Sequence, residues 1–183
     1  VEFLSRWGID EIILLDIDAT AQRRPPCFEL VTRVSKRAFV PLTVGGGIRT
    51  LEDIRTLVHS GADKVSMNDA ALRHPGLVSL AASKFGSQSV VVSIDVRRHG
   101  DGRYEVFAAS GKVGTGRDPC EVALASQRLG AGEILLNSID RDGMKTGFDL
   151  ELLRRVAGAV NLPVIACGGV GSAAHLGEAM EAG

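Results

Sequence analysis

The chain repeats itself. Gly8-Ile9-Asp10-Glu11-Ile12-Ile13-Leu14 returns 122 positions later as Gly130-Ala131-Gly132-Glu133-Ile134-Leu135-Leu136. The same offset carries Ile17-Asp18 onto Ile139-Asp140, Glu29-Leu30 onto Glu151-Leu152, Arg33-Val34 onto Arg155-Val156 and Pro41 onto Pro163, with no gap from Gly8 to Ile48. A duplicated stretch folds into two copies of one supersecondary unit, and any architecture proposed for the chain must accommodate both.

The repeat ends in a shared device. Pro41-Leu42-Thr43-Val44-Gly45-Gly46-Gly47-Ile48 is a short apolar run closed by glycines, and Pro163-Val164-Ile165-Ala166-Cys167-Gly168-Gly169-Val170 has the same shape. A helix start follows each: Thr50 at an N-cap with Glu52 and Asp53 in the first turn, and Gly171-Ser172 in the second copy. Strand, glycine turn and helix N-terminus together cradle a phosphate, because residues without side chains let the backbone approach and unpaired N–H groups favour an anion. Two such grips imply a ligand with a phosphate at each end.

Between these landmarks, strands and helices alternate. Strands are expected at Ile12–Asp16, Pro41–Gly45, Asp63–Asn68, Ser89–Val96, Glu133–Ser138 and Pro163–Cys167. Helices are expected at Phe28–Arg37, Leu51–Ser60, Pro75–Phe85, Pro119–Leu129, Leu150–Val160 and Ser172–Glu181. Val1–Trp7 reads as the last turns of a further helix closed by Gly8. His99-Gly100-Asp101-Gly102 is a turn signal, predicting a small hairpin inserted on a loop over 96–109. Strict alternation gives parallel strands with crossover helices, in either an open sheet or a (β/α)8 barrel. Four strand–helix units per 122-residue period make eight when complete, so the expected fold is an α/β (β/α)8 TIM barrel with half-barrel duplication. Residues 1–183 are then one partial barrel domain holding barrel strands two to seven; a six-stranded open sheet is the alternative.

Composition fits this fold. Hydrophobic residues make 45 % and aromatics only 4 %, so aliphatic side chains fill the core, as in buried parallel sheets. A net charge of −1 suggests no nucleic-acid partner, and no apolar run approaches membrane-spanning length. Cys27, Cys120 and Cys167 lack metal-ligand spacing and read as reduced thiols of a cytoplasmic protein; no metal and no cofactor are expected.

In such a barrel, chemistry sits at the C-terminal strand ends, where Asp16, Asp18, Asp95, Asp140 and Asp142 fall. Asp95 is the sharpest candidate: it ends the most apolar strand, where desolvation raises a carboxyl pKa toward acid–base duty. Its alternative is a carboxylate salt-bridged to Arg97 or Arg98. Asp142-Gly143 reads as a loop turn beside the second grip. Asn68 ends the strand next to the first grip and is a candidate phosphate donor, or else a loop cap. Asp69 is expected to point away from a phosphate, and Lys112 and Lys145 lie on loops at the same face. Glu11, Lys64 and Glu133 sit at N-terminal strand ends, where charges usually serve stability. His59, His74, His99 and His175 have no acid or serine partner at a recognisable spacing and read as surface residues.

Thr43–Arg49, Gly61–Asn68, Phe85–Gln88, Gly130–Leu136 and Ser138–Gly143 together resemble the cyclase subunit of imidazole glycerol phosphate synthase over essentially the whole chain. The isomerase of the same pathway fits less well around Gly130–Gly143. The resemblance implies a reaction in which ammonia from a glutaminase partner attacks a bisphosphate ribulosyl-formimino aminoimidazole carboxamide nucleotide. The products are imidazole glycerol phosphate and aminoimidazole carboxamide ribotide. It also implies site roles: Asp95 as one of two acid–base aspartates; Gly46, Gly47 and Asn68 at one phosphate; and Asp142, Gly143, Gly168 and Gly169 at the other. Glu11, Lys64 and Glu133 become members of a charged ring at an ammonia entrance, replacing the stability reading, and Asp63 a residue of the glutaminase interface. The second catalytic aspartate belongs to barrel strand one, so the 183 residues alone are expected to be inactive. Cys167 and Asp18 stand where the family usually has Ser and Thr. Phe39–Leu42 and Thr115–Pro119 are similar to cyclase-like paralogues of surface-polysaccharide aminosugar pathways, which form the alternative reading. A phosphate-binding scaffold without chemistry is the third.

Overall fold

A computed structural model describes residues 8–183, so the helix expected over Val1–Trp7 lies outside the described residues. The first half of the chain forms β1 (Ile12–Leu15), α1 (Phe28–Ser35), β2 (Leu42–Gly45), α2 (Leu51–His59), β3 (Lys64–Met67), α3 (Asp69–Arg73), α4 (Gly76–Phe85) and β4 (Val90–Arg98). The second forms β5 (Tyr104–Ala108), β6 (Val113–Gly114), α5 (Pro119–Arg128), β7 (Glu133–Ser138), α6 (Leu150–Ala157), β8 (Val164–Cys167) and α7 (Ala173–Ala182).

Six strands pair in parallel in the order β1-β2-β3-β4-β7-β8. Each is apolar, and a helix, reached from β4 only after the β5 and β6 strands, returns the chain to the same end of the sheet, which is how parallel neighbours must be connected. The sheet curls into part of a (β/α)8 barrel; among the described residues β1 and β8 each have one strand neighbour.

The duplication holds to the level of register. Ile12, Ile13, Leu14 and Leu15 pair with Leu42, Thr43, Val44 and Gly45; 122 positions on, Ile134, Leu135, Leu136 and Asn137 pair with Val164, Ile165, Ala166 and Cys167. The entry bond repeats too: Ile12 N–H donates to the Pro41 carbonyl at 3.0 Å, and Ile134 N–H to that of Pro163 at 3.0 Å.

Strand alternation divides the two faces. Leu42, Val44, Val65, Met67, Val90, Val92, Ile94, Ile134 and Leu136 face the helices and join Ile54, Leu57, Val78, Leu152 and Val156 in one core. Each fully buried aliphatic side chain there contributes about 1.5–3 kcal/mol. The opposite parity lines the concave face: Thr43, Lys64, Ser66, Val91, Ser93, Asp95, Glu133, Leu135 and Asn137. On this inner face polar residues interrupt the middle of otherwise apolar strands, as Thr43, Ser66 and Ser93 do.

Caps behave as the residue types dictate. Thr50 and Asp53 form a reciprocal capping box on α2, and Asp118 caps α5 with Pro119 at its first position. One expectation is corrected and one element was not expected. The hairpin is not an insertion on a loop: β4 continues past Val96 to Arg98 and itself pairs antiparallel with β5, turning over His99–Gly102. Val96, Arg97 and Arg98 extend the strand beyond Asp95 because each pairs with β5. Helix α3, one short turn directly after β3, carries no apolar periodicity that announces it.

Candidate active site

A cavity of about 460 Å³ opens at the C-terminal ends of the parallel strands, lined by Gly46, Gly47, Asn68, Ser93, Asp95, Asn137, Asp142 and Cys167 among others. The structure thus brings together candidates that lie up to 121 positions apart in the sequence, from both halves of the repeat.

Asp95 is half-buried in the wall of this cavity. Its Oδ1 accepts from Ser93 Oγ at 3.4 Å and Asn137 Nδ2 at 3.4 Å, both long bonds. The adjacent arginines turn elsewhere: Arg97 lies 3.8 Å from Asp140 and over the Phe107 ring, and Arg98 pairs with Glu151 at 3.0 Å. The salt-bridge alternative for Asp95 is therefore not what forms. Burial raises the Asp95 pKa, two weak hydrogen bonds oppose it, and the Asp142 carboxylate adds to the rise. Desolvation without a cation is the arrangement that suits a carboxyl to proton transfer near neutral pH.

The first glycine turn lines this cavity, and the second follows directly on Cys167, which lines it too. Gly46 and Gly47 have φ of +95° and +72°; Gly168 and Gly169 have +90° and +102°. Their surroundings repeat as well. A Cβ on Gly46 would lie 2.2 Å from the Asp16 carbonyl oxygen, and one on Gly168 2.6 Å from that of Ser138, its repeat counterpart. Both turns therefore require glycine for conformation and for space. At the first turn, Asp53 Oδ2 already accepts the N–H groups of Arg49 and Thr50, each at 2.9 Å. The opening of α2 is thereby closed by its own carboxylate, and an anion there must be met by the glycine turn rather than by the helix end. Gly143, at φ +73°, lies on the exposed loop that follows Asp142.

Asn68 lines the cavity, but its amide nitrogen donates to the carbonyls of Ser93 at 3.2 Å and Phe107 at 3.4 Å, fastening the hairpin to the sheet. Asp69 is held by Arg73 at 2.8 Å and accepts from Ala109 N–H at 3.1 Å. Asp16 is claimed by a bidentate Arg24, which holds its carboxyl below the usual range.

At the opposite end of the inner face, Lys64 Nζ bridges Glu11 at 2.8 Å and Glu133 at 2.7 Å. Glu11 and Glu133 are repeat counterparts, so one lysine ties the two halves together. Burial disfavours the charged lysine, yet the two carboxylate hydrogen bonds outweigh it and raise its pKa. Thr43, fully buried, donates to Glu11, and Glu133 Oε2 is buried with no partner. Asp63 is exposed at the same end, with Oδ2 accepting the Leu42 N–H at 2.8 Å. Ser66, whose buried hydroxyl has no partner, and Ser93 continue a polar line along the inner face from this cluster toward Asp95.

A family model described as histidine biosynthesis protein matches residues 1–183. The chain belongs to this family. It is similar to the imidazole glycerol phosphate synthase subunit HisF of Alkaliphilus metalliredigens (strain QYMF), with 49 % identity over 176 residues, covering 96 % of this chain and 70 % of the relative. A histidine-biosynthesis match of this extent favours the cyclase over the polysaccharide paralogue. No helix among the described residues is long and apolar enough to cross a membrane.

Sequence reasoning in this family member missed three inner-face residues: Asn137 and Ser93, which hold Asp95, and Ser66. The signal was there in outline, since each breaks an apolar strand, but only the pairing of Asp95 with Asn137 across β4 and β7 shows what they meet. It also missed the acid partner of His99, which the hairpin places 2.6 Å from Glu105. His59, His74 and His175 have no carboxylate bond among the described residues.

Proposed function

We propose that this chain carries the cyclase reaction of imidazole glycerol phosphate synthase as part of the complete barrel, with Asp95 as one of its two acid–base groups, between two phosphate grips. The observation that carries the reading is Asp95 itself: a cation-free carboxyl with a raised pKa, in a cavity lined by Gly46 and Gly47 of one glycine turn and by Cys167, which leads into its repeat 122 residues on. The substrate is a bisphosphate ribulosyl-formimino aminoimidazole carboxamide nucleotide. One phosphate is taken at Gly46 and Gly47, with Asn68, its side-chain amide engaged by the Ser93 and Phe107 carbonyls, contributing through its backbone, and the other at Asp142, Gly143, Gly168 and Gly169. Fixing both ends leaves the reactive middle over Asp95, so binding energy is converted into orientation.

Ammonia that adds to carbon becomes an ammonium and must lose a proton, while the amine expelled must gain one. Asp95, its pKa raised by burial, serves one of these transfers, and the second acid–base aspartate, expected on barrel strand one, serves the other. Glu11, Lys64 and Glu133 form the lower mouth where ammonia from a glutaminase subunit enters, with Asp63 on the docking face, and Thr43, Ser66 and Ser93 offer it polar contacts on the way up. The setting is cytoplasmic. In the assembled synthase, Asp95→Asn is expected to lower ammonia-dependent turnover by about 10²–10⁴-fold with KM little changed. A fall below about threefold would make Asp95 a structural carboxylate.

A further inference from the structure

The left-handed backbone of this chain is used twice for a cation. Among the described residues only Arg23, Ala109, Ser110 and Lys145 are non-glycine residues with positive φ, and Arg23 (φ +53°) and Lys145 (φ +60°) stand 122 positions apart, as repeat counterparts. Arg23 occupies the position of a helical C-turn that glycine normally fills: Arg24 N–H donates to the Ala19 carbonyl at 3.0 Å and Arg23 N–H to that of Thr20 at 3.2 Å. Glycine would adopt this conformation without strain, and a long cationic side chain gains nothing from it locally.

What the side chains face explains their presence. Arg23 and Arg49 line a second cavity of about 510 Å³ whose wall includes Gly47 and Ile48, so it adjoins the first glycine turn. The Arg23 carbonyl accepts from Arg49 Nη1 at 3.0 Å, locking the two residues together. Arg24 and Arg73 share this cavity but are neutralised by Asp16 and Asp69, at 2.6 and 2.8 Å. Arg23 and Arg49 have no carboxylate partner among the described residues, which leaves the cavity positive. At the second turn Lys145 stands on the same step. A Cβ on Gly171, the counterpart of Arg49, would lie 2.5 Å from the Lys145 carbonyl oxygen, and Lys145 is exposed without an ion pair among the described residues.

We propose that Arg23 and Lys145 are a symmetry-related pair of phosphate-recognition residues, one serving each glycine turn and so each end of the bisphosphate. This rests on the bisphosphate reading above. Backbone N–H groups shape a phosphate site, but a phosphate dianion also needs full positive charge, which Arg23 and Lys145 supply beside Arg49 at the first turn and Arg141 at the second. The arginine end, with Arg49 beside it, forms a pocket; the lysine end is a single mobile point charge.

The test uses inorganic phosphate and the ¹⁵N-labelled chain, with the amides of Gly46 and Gly47 reporting one turn and those of Gly168 and Gly169 the other. Arg23→Gly is expected to weaken phosphate about tenfold at the first pair and leave the second unchanged; Lys145→Gly does the reverse. Both variants keep or raise the melting temperature, because glycine relieves the left-handed backbone, and Arg23→Lys retains most of the affinity. A glycine variant that binds phosphate at its own turn as tightly as the parent overturns the proposal while leaving the bisphosphate reading intact. A parent chain whose four glycine amides do not respond to phosphate overturns both.

Discussion

Residues 8–61 and 130–183 are two copies of one unit that agree in backbone and disagree in charge. Strand register, the glycine turns and even the packing of Gly61 on Ser35 and of Gly183 on Ala157 repeat at 122 residues. The polar groups do not. In the first copy Asp16 is bound by Arg24 and Asp53 closes the start of α2; the counterparts are Ser138, Thr146 and His175. Glycine with a fixed φ and no room for a Cβ admits no substitute, so the turn is retained in both copies. A loop charge costs little to replace, and the two anion grips have become chemically different on one scaffold.

The largest effect that tests this division is steric. Gly46→Ala brings a Cβ within 2.2 Å of the Asp16 carbonyl oxygen at φ +95°, and Gly168→Ala meets that of Ser138 at 2.6 Å and φ +90°. A destabilisation of about 3 kcal/mol is expected at Gly46, with a smaller loss at Gly168. Urea unfolding of the two variants decides it; equal losses below about 1 kcal/mol would show that the turns relax and that backbone does not fix them.

The glycine turns were also the most legible part of the sequence, for the same reason. A residue dictated by φ and space stands out from the string, as do Thr50 and Asp118 at caps and the β-branched run ending in Asp95. The elements that stayed hidden depend on partners set by pairing. That β4 carries on into a hairpin, that His99 meets Glu105, and that Asn137 reaches Asp95 all follow from cross-strand register, which turn chemistry and neighbouring strands fix together. Asn68 shows the limit of reading a residue type as a role: its position at a strand end was legible, but not that two carbonyls already engage its amide.

Acid should separate the copies next. The Arg24 hydrogen bonds hold Asp16 below the usual carboxylate range, so its stabilisation is complete above the unfolded value of about 3.9 and is lost as pH falls through the lower folded value. The second loop has no carboxylate at this position, which is Ser138; its Asp140 accepts the Arg98 N–H at 2.7 Å with Arg97 only at 3.8 Å, and Arg141 Nη1 donates to Thr146 Oγ1 at 3.2 Å. Amide exchange at pH below about 4 should therefore speed up over 16–24 and not over 138–146. Asp16→Asn should cost about 1 kcal/mol at neutral pH, the pair being partly exposed, and abolish the difference. Matching acid sensitivity in both loops would remove charge as the distinction between them.

The smallest effect tests the helix starts. Thr50 and Ser172 are both extended N-caps, yet only Thr50 accepts a capping bond, from Asp53 N–H at 3.1 Å. In α7 the third helical residue is His175, whose Nδ1 accepts the Gly171 N–H at 3.1 Å, where Asp53 Oδ2 accepts that of Arg49 in α2. His175→Asp would complete the box and should stabilise the chain by about 0.5 kcal/mol. It would also set a carboxylate beside Gly168–Gly169, so phosphate should bind there several-fold more weakly, as like charges repel across a short gap. A gain in stability with phosphate affinity unchanged would mean that the anion does not approach this helix start. Both changes together would show that the second copy forgoes a strong cap because the same space receives the ligand, whereas the first copy, with arginines beside its turn, keeps its cap.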